Sequence, residues 1–223
     1  MHTEHGMVAA EIGLGLALHH LGRADRARRW LFSAVERARA VGHRRRLVEA
    51  LVGLGLVEIT SGRLPTARRY LIDAVAVARE SECREMLTTG LAALSRAERR
   101  LGNPAGALAH AREAVRIAQE STLPACEAWA EMEAGLALLA QGEATAVQHT
   151  ARAVSLLPQA HEGWVGSEEI HRAHAQALQA LGRAAEAGEH LRQAQALIKG
   201  KAGQIADPQQ RRSYLQHASR TTL

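Results

Sequence analysis

Residues 18–34 read LHHLGRADRARRWLFSA, and residues 178–194 read LQALGRAAEAGEHLRQA. Both stretches end a leucine-rich run on Gly-Arg. Both then set Ala, a large apolar residue and Ala at the same offsets. The gap between them is filled by the same punctuation: Gly22, Gly62, Gly102, Gly142 and Gly182 stand forty residues apart. A fixed period of this size is the mark of a repeat architecture. Gly15, Gly55 and Gly135 hold a second register, with Ser95 and Ala175 as small substitutes. Ala27, Ala67, Ala107 and Ala187 hold a third, and Ala34, Ala74, Ala114 and Ala194 a fourth. In the fourth unit Ala146 and Ala153 come one residue early.

Each unit reads as a helical hairpin. Helix A is expected over 8–21, 48–61, 88–101, 128–141 and 168–181, and helix B over 24–40, 64–80, 104–120, 144–157 and 184–200. The units then span 8–47, 48–87, 88–127, 128–167 and 168–200, followed by a tail, 201–223. A Gly between A and B suits the left-handed residue that ends a helix. Pro65 and Pro104 sit near the start of helix B, where a missing N–H costs little. Small residues such as Gly15 and Ala27 let the two backbones approach, and Leu18, Leu21 and Leu31 fill what remains at helical spacing.

Composition agrees with an all-α chain. It is 47% hydrophobic but only 3% aromatic, so its core is expected from close helix contact rather than bulky side chains. Ala, Leu, Arg and Glu dominate, all good helix formers. No apolar run approaches the roughly 20 residues of a membrane span. The opening MHTEHGMVAAEIG lacks the features of a signal peptide. Two cysteines, Cys83 and Cys126, are too few for a disulfide framework, which points to a reducing, cytoplasmic setting. Residues 1–116 carry nineteen arginines against twelve acidic groups, and 117–223 nine cations against eleven, so the net +5 belongs to the first half. The 26 Arg to two Lys suggest a GC-rich bacterial source.

The order of small residue, turn Gly, Ala, large apolar residue and Ala resembles the tetratricopeptide repeat, and Pro158 falls at that motif's closing proline. The family unit is about 34 residues; the surplus here is expected in longer B helices and A–B linkers. This long form resembles the helical arrays of bacterial signalling ATPases, including LuxR-type and cyclase- or kinase-linked regulators. Ile205, Asp207, Arg212, Tyr214 and Leu215 resemble the tail that closes such arrays. The resemblance implies a right-handed superhelical stack of five helix-turn-helix repeats with a short C-terminal capping helix, started by Asp207 and Pro208. The first A helix begins without a polar cap, so its face is expected to meet a partner, a second copy or an upstream domain. No G-x-x-x-x-G-K-[ST] phosphate loop is present.

Helix A lines the concave face of tetratricopeptide arrays. The expected groove therefore carries His19 and His20, then Glu49, then Arg96, Arg99 and Arg100, then Trp129 and Met132, then Glu169, Arg172 and Gln176. A cationic middle beside an apolar patch suits a protein or peptide segment with acidic and apolar side chains. Chaperone-type docking, which uses Lys and Asn at set positions, is excluded by apolar residues such as Ile12 and Leu16 there.

Other constellations are weaker. His171 and His174 in EEIHRAH share a helix face but need further ligands to hold a metal. HRRR at 43–46 offers only non-specific attraction to nucleic acid, with no DNA-reading motif. No nucleophile–base pair stands out, and no metal or cofactor is expected. The chain reads as a non-enzymatic protein- or peptide-binding scaffold of bacterial signalling or transcription control. The alternative is a small-molecule-sensing array of a larger regulatory ATPase, here as a truncated remnant.

Overall fold

The computed structural model describes residues 2–160 and 165–220. They form eleven helices: α1 (His2–His20), α2 (Ala24–Ala40), α3 (Arg44–Thr60), α4 (Leu64–Glu80), α5 (Arg84–Arg100), α6 (Pro104–Glu120), α7 (Pro124–Leu139), α8 (Ala146–Leu156), α9 (Ser167–Ala180), α10 (Ala184–Gly203) and α11 (Pro208–Arg220). Successive helices pack as antiparallel hairpins. The odd-numbered helices α1 to α9 also pack on one another in order, making one layer of the solenoid; the even-numbered helices form the other. Five hairpins and a closing helix thus give the all-α repeat stack expected from the glycine ladder.

The period has a different origin from the one expected. Helices α3 to α6 are each 17 residues long. Two such helices and two three-residue turns make the forty-residue unit. The A helices α3, α5 and α7 begin at Arg44, Arg84 and Pro124, four residues before their expected starts. The extra length is therefore shared by A and B, and the linkers are short. Helix α8 is also shorter than expected, starting at Ala146 after a longer connection.

Both turns of a unit have one geometry. At Gly22 (φ +70°) the Gly22 N–H donates to the His19 carbonyl at 2.8 Å, and Arg23 N–H to that of Leu18 at 2.9 Å. This pairing satisfies carbonyls that the helix end leaves open. The B-to-A turns repeat it at Gly42 (φ +68°), but with Glu82 (φ 52°) and Thr122 (φ 54°) in the two following units. The A helices start early after Gly42 as well as after Glu82 and Thr122, so the four extra residues belong to the first turn of each A helix rather than to a linker.

The small-residue register is a contact requirement. A Cβ on Gly15 would lie 2.6 Å from the Leu31 side chain, and one on Gly55 2.6 Å from Leu71. On Gly135 it would meet the Ala146 carbonyl at 3.0 Å. Leu31, Leu71 and Ala27, Ala67, Ala107 and Ala187 are fully buried behind these glycines. Such burial contributes about 25 cal/mol per Å² of apolar surface, and more is lost when a cavity is left.

The layers are also laced by charge at a fixed register. Arg28 of α2 donates to Glu58 of α3 at 2.6 Å, and forty residues on Arg68 of α4 donates to Glu98 of α5 at 2.6 Å. In the next unit the same register holds Leu108 and Leu138, both buried in one apolar cluster. On α1, Met7 and Leu14 are exposed. Their counterparts forty residues on, Leu47 and Leu54, join the main core cluster, with Leu54 fully buried.

Candidate functional site

The concave layer and α11 enclose a cavity of about 330 Å³. Its apolar wall is Leu16 of α1 with Leu56 and Ile59 of α3. Arg96 of α5 and Trp129 of α7 make the floor, and Glu168, Glu169 and Arg172 of α9 the far wall. His19 and His20 stand at the first-repeat rim, facing Tyr214, His217 and Ala218 of α11.

Arg96 organises the floor. Its Nε donates to Glu133 at 2.6 Å and its Nη2 to Glu169 at 2.9 Å. The guanidinium lies 5.7 Å from the centre of the Trp129 ring, within cation–π range. Trp129 Nε1 donates to Glu133 at 3.3 Å, and Arg99 Nη2 reaches the second Glu133 oxygen at 3.5 Å. Burial alone would depress the Arg96 pKa, but Glu133 and Glu169 hold it above its ordinary value. On the far wall, Lys201 donates to both Glu168 oxygens, at 2.8 and 3.0 Å.

The rim is histidine-rich. The His19 and His217 rings meet edge-on with centroids 5.5 Å apart, and His19 lies 5.6 Å from His20. Burial, with smaller contributions from His20, His217 and Arg96, pushes the His19 pKa down to about 3. Tyr214 is pushed up to about 12 by burial and by the Glu168 charge.

Of the residues expected in the groove, His19, His20, Arg96, Trp129, Glu169 and Arg172 line the cavity. Glu49 is tied to Arg45 and Arg46 on its own helix. Met132 is fully buried, Arg99 is folded onto Glu133, Arg100 is exposed outside the cavity and Gln176 is half-buried. The expected cationic middle is corrected: Arg96 and Arg99 are paired with Glu133 and Glu169, so the centre of the groove is neutralised rather than cationic. Glu85, Ala125 and Cys126 line the cavity unannounced because they occupy the first turns of α5 and α7, ahead of the helix starts that the glycine pattern gives. Tyr214 and His217 were missed because periodicity carries no signal for where a helix beyond the last repeat returns.

Cys126 lies in the first turn of α7, 3.9 Å from the Thr89 hydroxyl, and burial raises its thiol pKa. His171 gains His190 as a neighbour at 2.9 Å, while His174 is committed to Thr150 at 2.9 Å. Among the described residues no group of three or more His, Cys, Asp or Glu is placed to hold a metal, and no helix is long and apolar enough to cross a membrane. The basic tract at 43–46 is engaged: Arg45 with Glu85 at 2.9 Å, Arg46 with Glu49 at 2.5 Å, and Arg44 with the Glu80 carbonyl at 3.1 Å.

Stacked hairpins with glycine-marked turns define a helical-repeat protein, and comparison with known families places it among them. Tetratricopeptide-repeat matches cover residues 6–80 and 47–120, with a further one over 169–193. The chain belongs to the tetratricopeptide repeat family. Among solved structures it is similar to a tetratricopeptide-repeat protein of Thermus thermophilus, with 23% identity and a TM-score of 0.63 over 94% of this chain and 98% of that one. It is similar to NprR in complex with its cognate peptide NprX, with 14% identity and a TM-score of 0.64 over 97% and 61%. It also matches a Rap protein complexed with Competence and Sporulation Factor, with 16% identity and a TM-score of 0.60 over 87% and 66%. At these identities the likeness is one of fold. Comparison with curated proteins found no match.

Proposed function

We propose that this chain is a non-catalytic scaffold whose concave face binds a peptide or protein segment. Its setting is a cytoplasmic regulatory module of bacterial signal transduction or transcription control. One observation carries the reading: the A helices of all five repeats and α11 converge on a single cavity that joins an apolar wall to a ring of polar groups. Such a surface offers pockets for alternating side chains of a bound segment, which is how repeat arrays recognise extended or helical partners. The likeness in fold to NprR and Rap, each solved with a peptide or signalling factor, supports the same use of the hollow. Because Arg96 and Arg99 are already paired, the favoured segment is amphipathic and near neutral rather than acidic.

A random peptide library displayed on phage and panned on the full chain tests this. Sequences enriched on the wild type should bind at least about tenfold more weakly to a His20→Glu variant, a difference of roughly 1.4 kcal/mol. They should be indifferent to Arg112→Glu on the outer layer. Peptides sensitive to Arg112 and insensitive to His20 would contradict the assignment.

The volume of the cavity favours a second reading, since about 300–1,000 Å³ is the size of a small-molecule site. A metabolite that raises the melting temperature of the wild type but not of His20→Glu would select it.

A further inference from the structure

We propose that α11 is the resident occupant of the groove's first-repeat end, and that a partner amphipathic helix binds there by displacing it. This rests on the concave face being the binding surface. It adds what that surface holds in the resting chain and what kind of segment replaces it.

The placement of α11 is the first observation. A helix that only capped the last repeat would touch α9 and α10 alone. Instead α11 reaches across the hollow to α1, opposite in the array. Tyr214 is buried in a cluster that joins Ile198 and Ala202 of α10 to Leu21 at the end of α1. One turn on, His217 meets His19, and a Cβ built on Gly22 would sit 3.2 Å from His217 Cβ. Arg172 of α9 donates to the Ala218 carbonyl at 2.8 Å, holding the helix's last turn from the groove wall. The helix therefore lies on the surface that a bound segment needs.

The quality of its fit is the second observation. Among the described residues Tyr214 is its single large buried side chain, and Leu215 beside it remains exposed. Tyr214 Oη and His19 Nδ1 are buried without a hydrogen-bond partner among the described residues. Buried polar groups left unmatched weaken an interface. By contrast α9 and α10 share a full hairpin interface. With one large buried side chain, one bond to its last turn from Arg172 and an unmatched polar atom on each side of its seam with α1, α11 is a low-stability unit, of the sort that opens without global unfolding.

The chemistry of a competitor follows from what α11 presents. It is a helix with an aromatic residue, a hydrogen-bonding residue three positions on and a small residue next to that, as in Tyr214, His217 and Ala218. A better competitor also carries a donor or acceptor that reaches Tyr214's site or His19 Nδ1. Its gain over α11 needs only to exceed the local concentration advantage of a tethered helix, which for short linkers is in the millimolar range.

Two measurements on the full chain test the proposal. In hydrogen exchange of the wild type, amides of 211–219 should exchange at least about tenfold faster than those of α9, reflecting local opening. Equal protection of α11 and α9 would overturn the proposal. The second uses Gly22→Cys with His217→Cys in a Cys83→Ser, Cys126→Ser background; the two Cβ positions, 3.2 Å apart, reach the roughly 3.5–4.5 Å of a disulfide by a small outward shift, and the strain of a side chain at Gly22 (φ +70°) is common to both redox states. The probe is a synthetic peptide of residues 207–220, titrated to millimolar concentration so that it matches the local concentration of the tethered helix. The reduced protein should bind it, and the oxidised protein at least about tenfold more weakly, because the tethered helix can no longer leave. Equal binding in both redox states, or none in the reduced state, would overturn it. A panned groove peptide that binds oxidised and reduced protein equally would overturn displacement while leaving the groove reading intact.

Discussion

Arg96 of α5 and Glu169 of α9 meet at 2.9 Å across the hollow, although 73 residues separate them in the chain. With Glu133 and Trp129 they make a polar floor in the inner layer. The pair joins the third and fifth repeats and cancels the groove's central cation.

Removing Arg96 strands a carboxylate. Glu133 is fully buried and would keep only Trp129 and a long contact to Arg99. Breaking a buried pair from one side costs about 3–5 kcal/mol. We expect Arg96→Leu to lower unfolding free energy by that order in urea titration. Arg96→Lys should recover only part, because an ammonium cannot span two carboxylates as a planar fork does.

The Arg68–Glu98 pair should be replaceable where one-sided removal is not. The chain itself places Leu108 and Leu138 at the same register. Arg68→Leu alone leaves the buried Glu98 with Asn103 as its remaining donor, 2.9 Å away, and should destabilise. Arg68→Leu with Glu98→Leu should lie within about 1 kcal/mol of the wild type or above it. A double-mutant cycle by chemical denaturation reads the coupling.

Thr122 holds a left-handed turn position that glycine fills in most turns of the array. A β-branched residue there is strained, by about 1–2 kcal/mol. Part of that is offset by the backbone entropy glycine loses on folding. Thr122→Gly should therefore stabilise by about 0.5–1 kcal/mol, and Gly62→Thr should destabilise by at least as much, both seen as shifts in melting temperature.

Acid should loosen the first-repeat rim. His19 is uncharged in the folded chain, its pKa pushed to about 3, whereas unfolded it titrates near 6.5. The unfolded chain thus binds more protons between these values, so stability is complete above about pH 6.5 and falls as pH drops toward 3. The slope from this residue is at most about 1.4 kcal/mol per pH unit. His174, pushed down to about 4, acts in the same direction. His19→Gln should flatten the decline across roughly pH 6 to 4.5 in thermal melts.

The hairpin stack was legible because its signals are local. Gly22 to Gly182 mark turns whose positive φ only glycine adopts freely, and Gly15 and Gly55 mark contacts that a Cβ would close. The starts of α3, α5 and α7 were obscured because their first turns, from Arg44, Arg84 and Pro124, carry no repeated small residue. Six groove positions were readable because helix phase sets which side of helix A faces inward. Two kinds of information were not in the periodicity. One is pairing: nothing local says that Arg96 meets Glu133 and Glu169. The other is return: α11 follows the last repeat, and only the accumulated curvature of five hairpins brings His217 to His19.

That return closes the hollow, and proton NMR reads it directly. With the His19 and His217 rings 5.5 Å apart, nuclear Overhauser contacts between their ring protons, or from His217 to Gly22, are expected in the wild type at neutral pH. His171 and His190, with centroids 5.2 Å apart, serve as the internal reference. Contacts within the His171–His190 pair but none from α11 to α1 would show an open array, and would contradict the closed hollow on which the site is built.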